Sequence, residues 1–193
     1  MNGGLLFGDG GQRGEPMEAV SLVDVWLEVP SEKHVRSFFL AMAEFEAEGS
    51  PQAPKELTED RFPAYVQQLH DQSVGKNLKE GHIPSKEFWM VDADGYAGRI
   101  ILGLTFTFAP ERLGHHVGYA VRPSKRRKGY ATRALQCLLD EARKLKINPL
   151  MPICDEDNVA SRTVIERNGG VLLEGMPSGG GLRFLIDLDS TLK

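Results

Sequence analysis

The chain has 193 residues, 41% of them hydrophobic and 26% charged, which is the composition of an ordinary globular domain with enough length to bury a sizeable core. Its net charge of −4 gives no electrostatic reason to expect a nucleic-acid partner. The longest apolar run, Ile100 to Ala109, is interrupted by Gly103, Thr105 and Thr107 and is too short to span a bilayer, so no membrane partner is expected.

Cys137 and Cys154 are the only cysteines, and no metal-ligand spacing such as C-x-x-C occurs, so buried free thiols in a reducing cytoplasm are expected and no metal. Residues 1–16 carry six glycines and a short Leu5-Leu6-Phe7 patch. They lack the cationic start and long apolar stretch of a signal peptide and read as a disordered leader before a single domain over 17–193.

Val20 to Val29 is β-branched and apolar and predicts a first strand, stopped by Pro30. Ser31 can cap a helix carrying Phe38, Phe39, Ala41, Met42 and Phe45, which Gly49-Ser50-Pro51 ends. A second helix starts near Thr58, with Phe62, Tyr65, Val66 and Leu69 at helical spacing, and Gln72 to Ser85 reads as loop. Glu87 to Val91 and Tyr96 to Phe106 flank Asp92-Ala93-Asp94-Gly95, a hairpin signal. A short strand, His115 to Val121, runs through Pro123-Ser124 into a basic cluster. From Gly129 on, Ala131, Leu135, Leu138, Leu139, Ala142 and Leu145 mark one face of an amphipathic helix. Leu150 to Cys154 predicts a strand, and Asn158 caps a helix to Asn168 that Gly169-Gly170 stops. Val171 to Glu174 and Leu182 to Leu188 are the last strands. This order predicts an α/β (α+β) fold, a mixed central sheet of about seven strands with helices on both faces.

Charge is unevenly spread. No carboxylate lies between Glu111 and Asp140, while five cations fall within the seven residues Arg122 to Lys128. Here a strand enters a basic turn and the turn opens a helix. Amides at a helix start have no intrahelical partner, and the dipole there favours negative charge. Gly129 lets the backbone approach a ligand and Ala131 does not block it. A diphosphate cradle is one reading of such a turn, and a solvated basic surface is the other. Neither a P-loop nor a Rossmann glycine pattern is present.

Arg126-x-x-Gly129-x-Ala131, set between strand and helix, resembles the [QR]-x-x-G-x-[GA] signature of the GNAT superfamily of acyl-CoA-dependent N-acyltransferases. Cys154 to Ser161, followed by Ile165-Glu166-Arg167-Asn168-Gly169-Gly170, is similar to that superfamily's next strand–helix unit. Gly114-x-His116-Val117-Gly118-Tyr119-x-Val121-Arg122-Pro123-Ser124 resembles an uncharacterised subgroup with a G-H-I-G-Y-x-x-R-P-S run. The likeness is close over 87–188 and looser before it. It implies that acetyl-CoA is the co-substrate, with its pyrophosphate on the amides of Arg126, Arg127, Lys128, Gly129, Tyr130, Ala131 and Thr132. Ala120 and Val121 would meet the pantetheine and thioester through main-chain hydrogen bonds, where this strand diverges from the next. Asn158 and Ser161 would touch the CoA arm, and Arg122 or Lys125 the adenosine 3′-phosphate.

The implied reaction is transfer of an acetyl group to a primary amine by direct attack in a ternary complex. An alkyl amine has a pKa of about 10.4, so freeing it of its proton at neutral pH costs roughly 4–5 kcal/mol. His116 is the first choice for the base, with a pKa near 6.5 suited to the task. His115 is the alternate, since neighbouring strand residues point to opposite faces and a bulge could exchange them. A hydrogen-bonded structural histidine is the plain alternative. Many GNAT enzymes carry a tyrosine acid seven residues after the position of Asn158, where this chain has Ile165; Tyr119 or Tyr130 could replace it, or water. Cys154 as a covalent nucleophile is weighed against a buried strand thiol. The rival function is a GNAT-fold module that binds acyl-CoA without catalysis. The resemblance implies that the acceptor site is shaped by the first two helices, roughly residues 32–72, and by the last hairpin. Acidic Glu44, Glu46, Glu48, Glu56, Glu59 and Asp60 either attract a cationic amine or form a solvated helix face. The sequence leaves a homodimer open.

Overall fold

The computed structural model describes residues 23–106, 116–173 and 181–189. The predicted leader over 1–16 and His115 lie outside the described residues. Among those described there are seven strands and four α-helices. Strand β1 (Trp26–Glu28) leads through a single 3-10 turn, Glu32–His34, into α1 (Val35–Ala47). The Ser31 hydroxyl accepts from the amide of Lys33 at the head of that turn. A second 3-10 turn, Glu59–Arg61, follows Thr58, so α2 (Phe62–Ser73) begins later than the sequence pattern suggests. Then come β2 (Ser85–Asp92), β3 (Gly95–Gly103), β4 (Val117–Val121), α3 (Tyr130–Lys144), β5 (Ile153–Asp155), α4 (Val159–Arg167), β6 (Val171–Leu172) and β7 (Gly181–Leu185).

Each residue pattern finds its face. On β2, Phe88 and Met90 point into a core built with Leu135, Leu138 and Ala142 of α3. Trp89 and Val91 point the other way, to Phe38 and Phe45 of α1 and Phe62 and Leu69 of α2. Strand alternation thus puts helices on both faces of the sheet. The Trp89 ring stacks on Phe38 at 5.3 Å and meets Tyr96 edge-on at 5.1 Å. Burying such side chains contributes roughly 1.5–3 kcal/mol each.

The seven strands fall into two antiparallel sheets, β1-β2-β3-β4 and β5-β7-β6. A lone bridge between Leu150 and Ile186 prolongs the β5–β7 contact where the sequence predicts a longer strand. β4 and β5 are edge strands of different sheets, and no ladder joins them among the described residues. This split is the feature that positions the site.

A bulge in the β2–β3 pairing lies opposite the end of β4. Met90 pairs with Gly98 but Val91 pairs with Tyr96, which leaves Ala97 as the extra residue. The Ala97 carbonyl accepts from the amide of Arg122, the first residue beyond β4, at 2.9 Å. Gly98 has φ +152, and a Cβ there would stand 2.4 Å from the Ala120 oxygen. Replacing Gly98 with alanine is therefore expected to destabilise the fold by about 1–3 kcal/mol, read as a lower denaturant midpoint; an unchanged midpoint would contradict the tight β3–β4 approach.

Glu28 closes β1 onto the head of α1. Its carboxylate accepts from Trp26 Nε1 at 2.8 Å, meets Lys33 Nζ at 2.6 Å and lies 2.9 Å from His34 Nε2. Burial alone would raise its pKa, but the bonds from Lys33, His34 and Trp26 outweigh that and lower it from 4.5 to about 2. A depressed carboxylate contributes stability above its unfolded pKa and loses it as pH falls towards the folded one. Melting temperature should therefore fall between pH 5 and pH 3, and Glu28→Gln should shrink that fall. A variant with the same acid sensitivity as the parent would show that the cluster contributes nothing.

Candidate functional site

The split between the sheets opens a cavity of about 220 Å³, lined by Val117, Gly118 and Tyr119 of β4, Ile153, Cys154 and Asp155 of β5, and Asn158 and Ser161 at the start of α4. Backbone direction along β4 follows from its two ends. Gly103 donates to the His116 oxygen at 2.8 Å and Arg122 donates to the Ala97 oxygen at 2.9 Å. In an antiparallel pair, alternate residues direct their peptide groups to the partner strand. The even-numbered residues of β4 therefore turn theirs to β3, and Val117, Tyr119 and Val121 turn theirs to the open edge. This corrects the sequence expectation at one residue. Ala120 faces β3 with its peptide groups, so Tyr119 and Val121 present backbone to the cleft. The Val121 oxygen accepts from Arg126 Nε at 3.0 Å.

Beyond β4 the chain makes a 3-10 turn, Pro123–Lys125, extends at Arg126, and takes left-handed φ values of +59 at Arg127 and +87 at Gly129. Gly129 is the N-cap of α3 and no side chain caps the helix. The first helical bond runs from Arg133 N–H to the Gly129 oxygen at 3.0 Å. The amides of Tyr130, Ala131 and Thr132 lie upstream of it, where an α-helix offers no acceptor. Those of Arg127, Lys128 and Gly129 find no backbone acceptor among the described residues. Six consecutive amides, from Arg127 to Thr132, thus have no backbone acceptor among the described residues.

The cations of this segment are engaged differently from the sequence expectation. Arg122 pairs with Glu44 through Nη2 at 2.6 Å, and Lys125 with Asp92 and Asp94 at 2.8 and 2.6 Å. Arg126 pairs with Glu48, and Lys128 donates to the Ser124 oxygen at 2.8 Å. Arg122 and Lys125, offered to a 3′-phosphate by the sequence, are thus held by carboxylates. Glu44 and Glu48, two of the acidic residues set aside for a cationic amine, are the partners of arginines. For Glu44, burial alone would raise the pKa, but bonds from Arg122 and Ser124 lower it from 4.5 to about 2.

Tyr119 and Ser161 meet across the cleft. The Tyr119 hydroxyl donates to Ser161 Oγ at 2.9 Å and lies 3.3 Å from its carbonyl oxygen. Burial raises the phenol's pKa, partly offset by the bond to Ser161, so it stays protonated at neutral pH. The Asn158 side-chain oxygen accepts from the Ser161 amide at 2.9 Å and caps α4. Ile165, at the position of the usual tyrosine, is a core residue and faces away from the cavity. Tyr130 is also turned away: its hydroxyl donates to Asp92 at 2.5 Å inside the fold, which leaves Tyr119 as the phenol at the cleft.

His116 stands at the head of β4, opposite Gly103. Strand alternation places it with Gly118 and Ala120, on the face covered by α1 and α2, whereas Tyr119 is on the face covered by α3 and α4. Burial raises the Cys154 pKa, with Asp155 adding to the effect, so the thiol is held protonated and a weak nucleophile. Cys137 is likewise a free thiol. A smaller recess of about 110 Å³ lies between α2 and β2, with Gln68, Gln72 and His82 among its walls; the sequence reading assigned that loop no role. Among the described residues no cluster of three or more His, Cys, Asp or Glu could hold a metal ion, and no helix is long and apolar enough to cross a membrane.

The site thus combines a turn of amides without backbone acceptors, an open strand edge and a hydroxyl pair. The family described as the acetyltransferase (GNAT) domain matches residues 24–171. No curated protein matches significantly in sequence. Among solved structures, RimL, a ribosomal-protein alpha-N-protein acetyltransferase in complex with coenzyme A, aligns with TM-score 0.61 and 18% identity over 86% of this chain and 95% of its own. Mycobacterium smegmatis RimJ in complex with CoA-disulfide aligns with TM-score 0.62 and 18% identity over 88% and 84%. The microcin self-immunity acetyltransferase MccE, in complex with acetyl-CoA and AMP, aligns with TM-score 0.59 and 17% identity over 83% and 89%. At these identities the structural likeness is one of fold, and with the family match over residues 24–171 it establishes that the chain belongs to the GNAT acetyltransferase family.

Proposed function

We propose that this protein transfers an acetyl group from acetyl-CoA to a primary amine by direct attack in a ternary complex, within one domain spanning residues 17–193. The observation that carries the reading is the uncapped start of α3, just beyond edge strand β4, where six successive amides have no backbone acceptor among the described residues. The pyrophosphate would sit on the amides of Arg127 to Thr132, with the dipole of a 15-residue helix behind them. The pantetheine would run back along β4 and bond to the peptide groups of Tyr119 and Val121, past Asn158 and Ser161. RimL and RimJ are named in complex with CoA or its disulfide and MccE with acetyl-CoA, which supports the cofactor. The free thiols suit a reducing, cytoplasmic setting.

Catalysis then divides between the two faces of β4. His116, on the α1–α2 face, takes the proton of the attacking amine directly or through a water. Tyr119, on the α3–α4 face and bonded to Ser161, gives a proton to the departing thiolate. This pair replaces the missing tyrosine at Ile165. The acceptor approaches from the α1–α2 side, and the RimL name, an alpha-N-protein acetyltransferase, makes a protein N-terminal amine the first class to test.

Two measurements check this. CoA well above its dissociation constant should raise the melting temperature, by about 2.7 kcal/mol of stabilisation at a hundredfold excess; no shift at millimolar CoA would reject the cofactor. In a thiol-release assay with acetyl-CoA and a panel of amines and peptides, His116→Ala should lower kcat by about a hundredfold or more, the usual worth of a positioned base. Tyr119→Phe should lower kcat with little change in the KM for acetyl-CoA. Full activity of both variants would remove these roles.

A further inference from the structure

Glu44 receives three hydrogen bonds and one further ion-pair contact from the segment between β4 and α3. Arg122 supplies Nε at 2.7 Å and Nη2 at 2.6 Å. Ser124 supplies its amide at 2.9 Å and its hydroxyl at 3.1 Å. At the C-terminal end of the same helix, Glu48 takes both terminal nitrogens of Arg126, at 2.7 and 2.5 Å. From the other side, Asp92 and Asp94 of the β2–β3 turn hold Lys125, and Asp92 also holds the Tyr130 hydroxyl. Residues 122–130 are thus bolted to α1 on one flank and to the hairpin on the other, while the amides from Arg127 to Thr132 have no backbone acceptor among the described residues.

An exposed ion pair fixes little, because solvent screens it and two long side chains must be ordered. The Arg122–Glu44 pair is the better shielded, with side chains 14% and 28% exposed against 44% and 31% for Arg126–Glu48. It also includes a backbone amide, so it constrains the main chain directly. The turn it constrains is unfavourable on its own, since Arg127 holds a left-handed φ of +59 without being glycine.

We infer that Glu44, assisted by Glu48, is a positioning residue for the diphosphate: it fixes the turn in the form that aims its amides at the ligand, and so couples helix α1 to cofactor affinity. The inference rests on the acetyl-CoA reading above. It makes a counter-intuitive demand, for a carboxylate beside a phosphate site ordinarily repels the anion. Here it strengthens binding, because the arginines act on the protein's backbone and not on the ligand.

Titration calorimetry of the full chain with CoA, and separately with pantetheine, which lacks the diphosphate, tests this. Glu44→Gln should bind CoA roughly tenfold more weakly, an ordinary size for coupling between sites, and bind pantetheine as the parent does. CoA affinity that is unchanged or tighter would overturn the inference, since tighter binding is what a released Arg122 acting as phosphate ligand would produce. Equal losses for CoA and pantetheine would overturn it too, by showing general damage. Should Glu44→Gln fail to fold, Glu48→Gln is judged by the same criteria. A parent protein that binds pantetheine but not CoA, or neither, defeats the cofactor reading itself.

Discussion

Backbone amides that no protein group accepts must be met by water or by a ligand, and a helix start leaves several of them in a row. Here six successive amides, from Arg127 to Thr132, stand at the start of α3 without a cap. Keeping them so requires a left-handed N-cap at Gly129, a second left-handed residue at Arg127 and carboxylates that occupy the neighbouring side chains. The rest of the site is arranged around this constraint. β4 delivers the chain to the turn, and the parting of β4 from β5 leaves room for whatever the amides hold.

The same geometry separates two kinds of chemistry. Strand alternation sends His116 and Gly118 to one face of β4 and Tyr119 to the other. A ligand lying along the strand edge would have a base on one side of its reacting carbon and a hydroxyl pair on the other. An acyl transfer needs that division, because the incoming amine loses a proton while the leaving sulfur gains one. The protonated phenol and the buried, protonated Cys154 thiol both favour this route over a covalent intermediate.

Much of the fold is legible in the sequence, because its signals are local. The hairpin at Asp92 to Gly95, the helix caps at Ser31 and Asn158, and the amphipathic face of α3 each need only a few neighbouring residues. The basic turn opening at Gly129 is legible for the same reason. What the sequence could not place is long-range. Glu44 and Ser124 are 80 positions apart, and nothing in the spacing of Glu44 and Glu48 says that they face Arg122 and Arg126. A faint signal exists: an acidic pair four residues apart on one helix matches a basic pair four apart elsewhere. The phase of β4 was hidden likewise, because which peptide groups face the open edge depends on the register between β3 and β4. Ala120 was assigned to the cleft for that reason. Ile165 was readable as a departure, but the partner that answers it, Tyr119 bonded to Ser161, becomes visible only once α4 is folded against β4.

The central claim concerns individual amides, so it is tested most directly by following them. In a titration of isotope-labelled protein with CoA, observed by amide NMR, the account predicts that the largest shifts fall on Arg127 to Thr132, with Tyr119 and Val121 next. Saturating CoA that moves other resonances and leaves those of Gly129, Tyr130, Ala131 and Thr132 in place would contradict it.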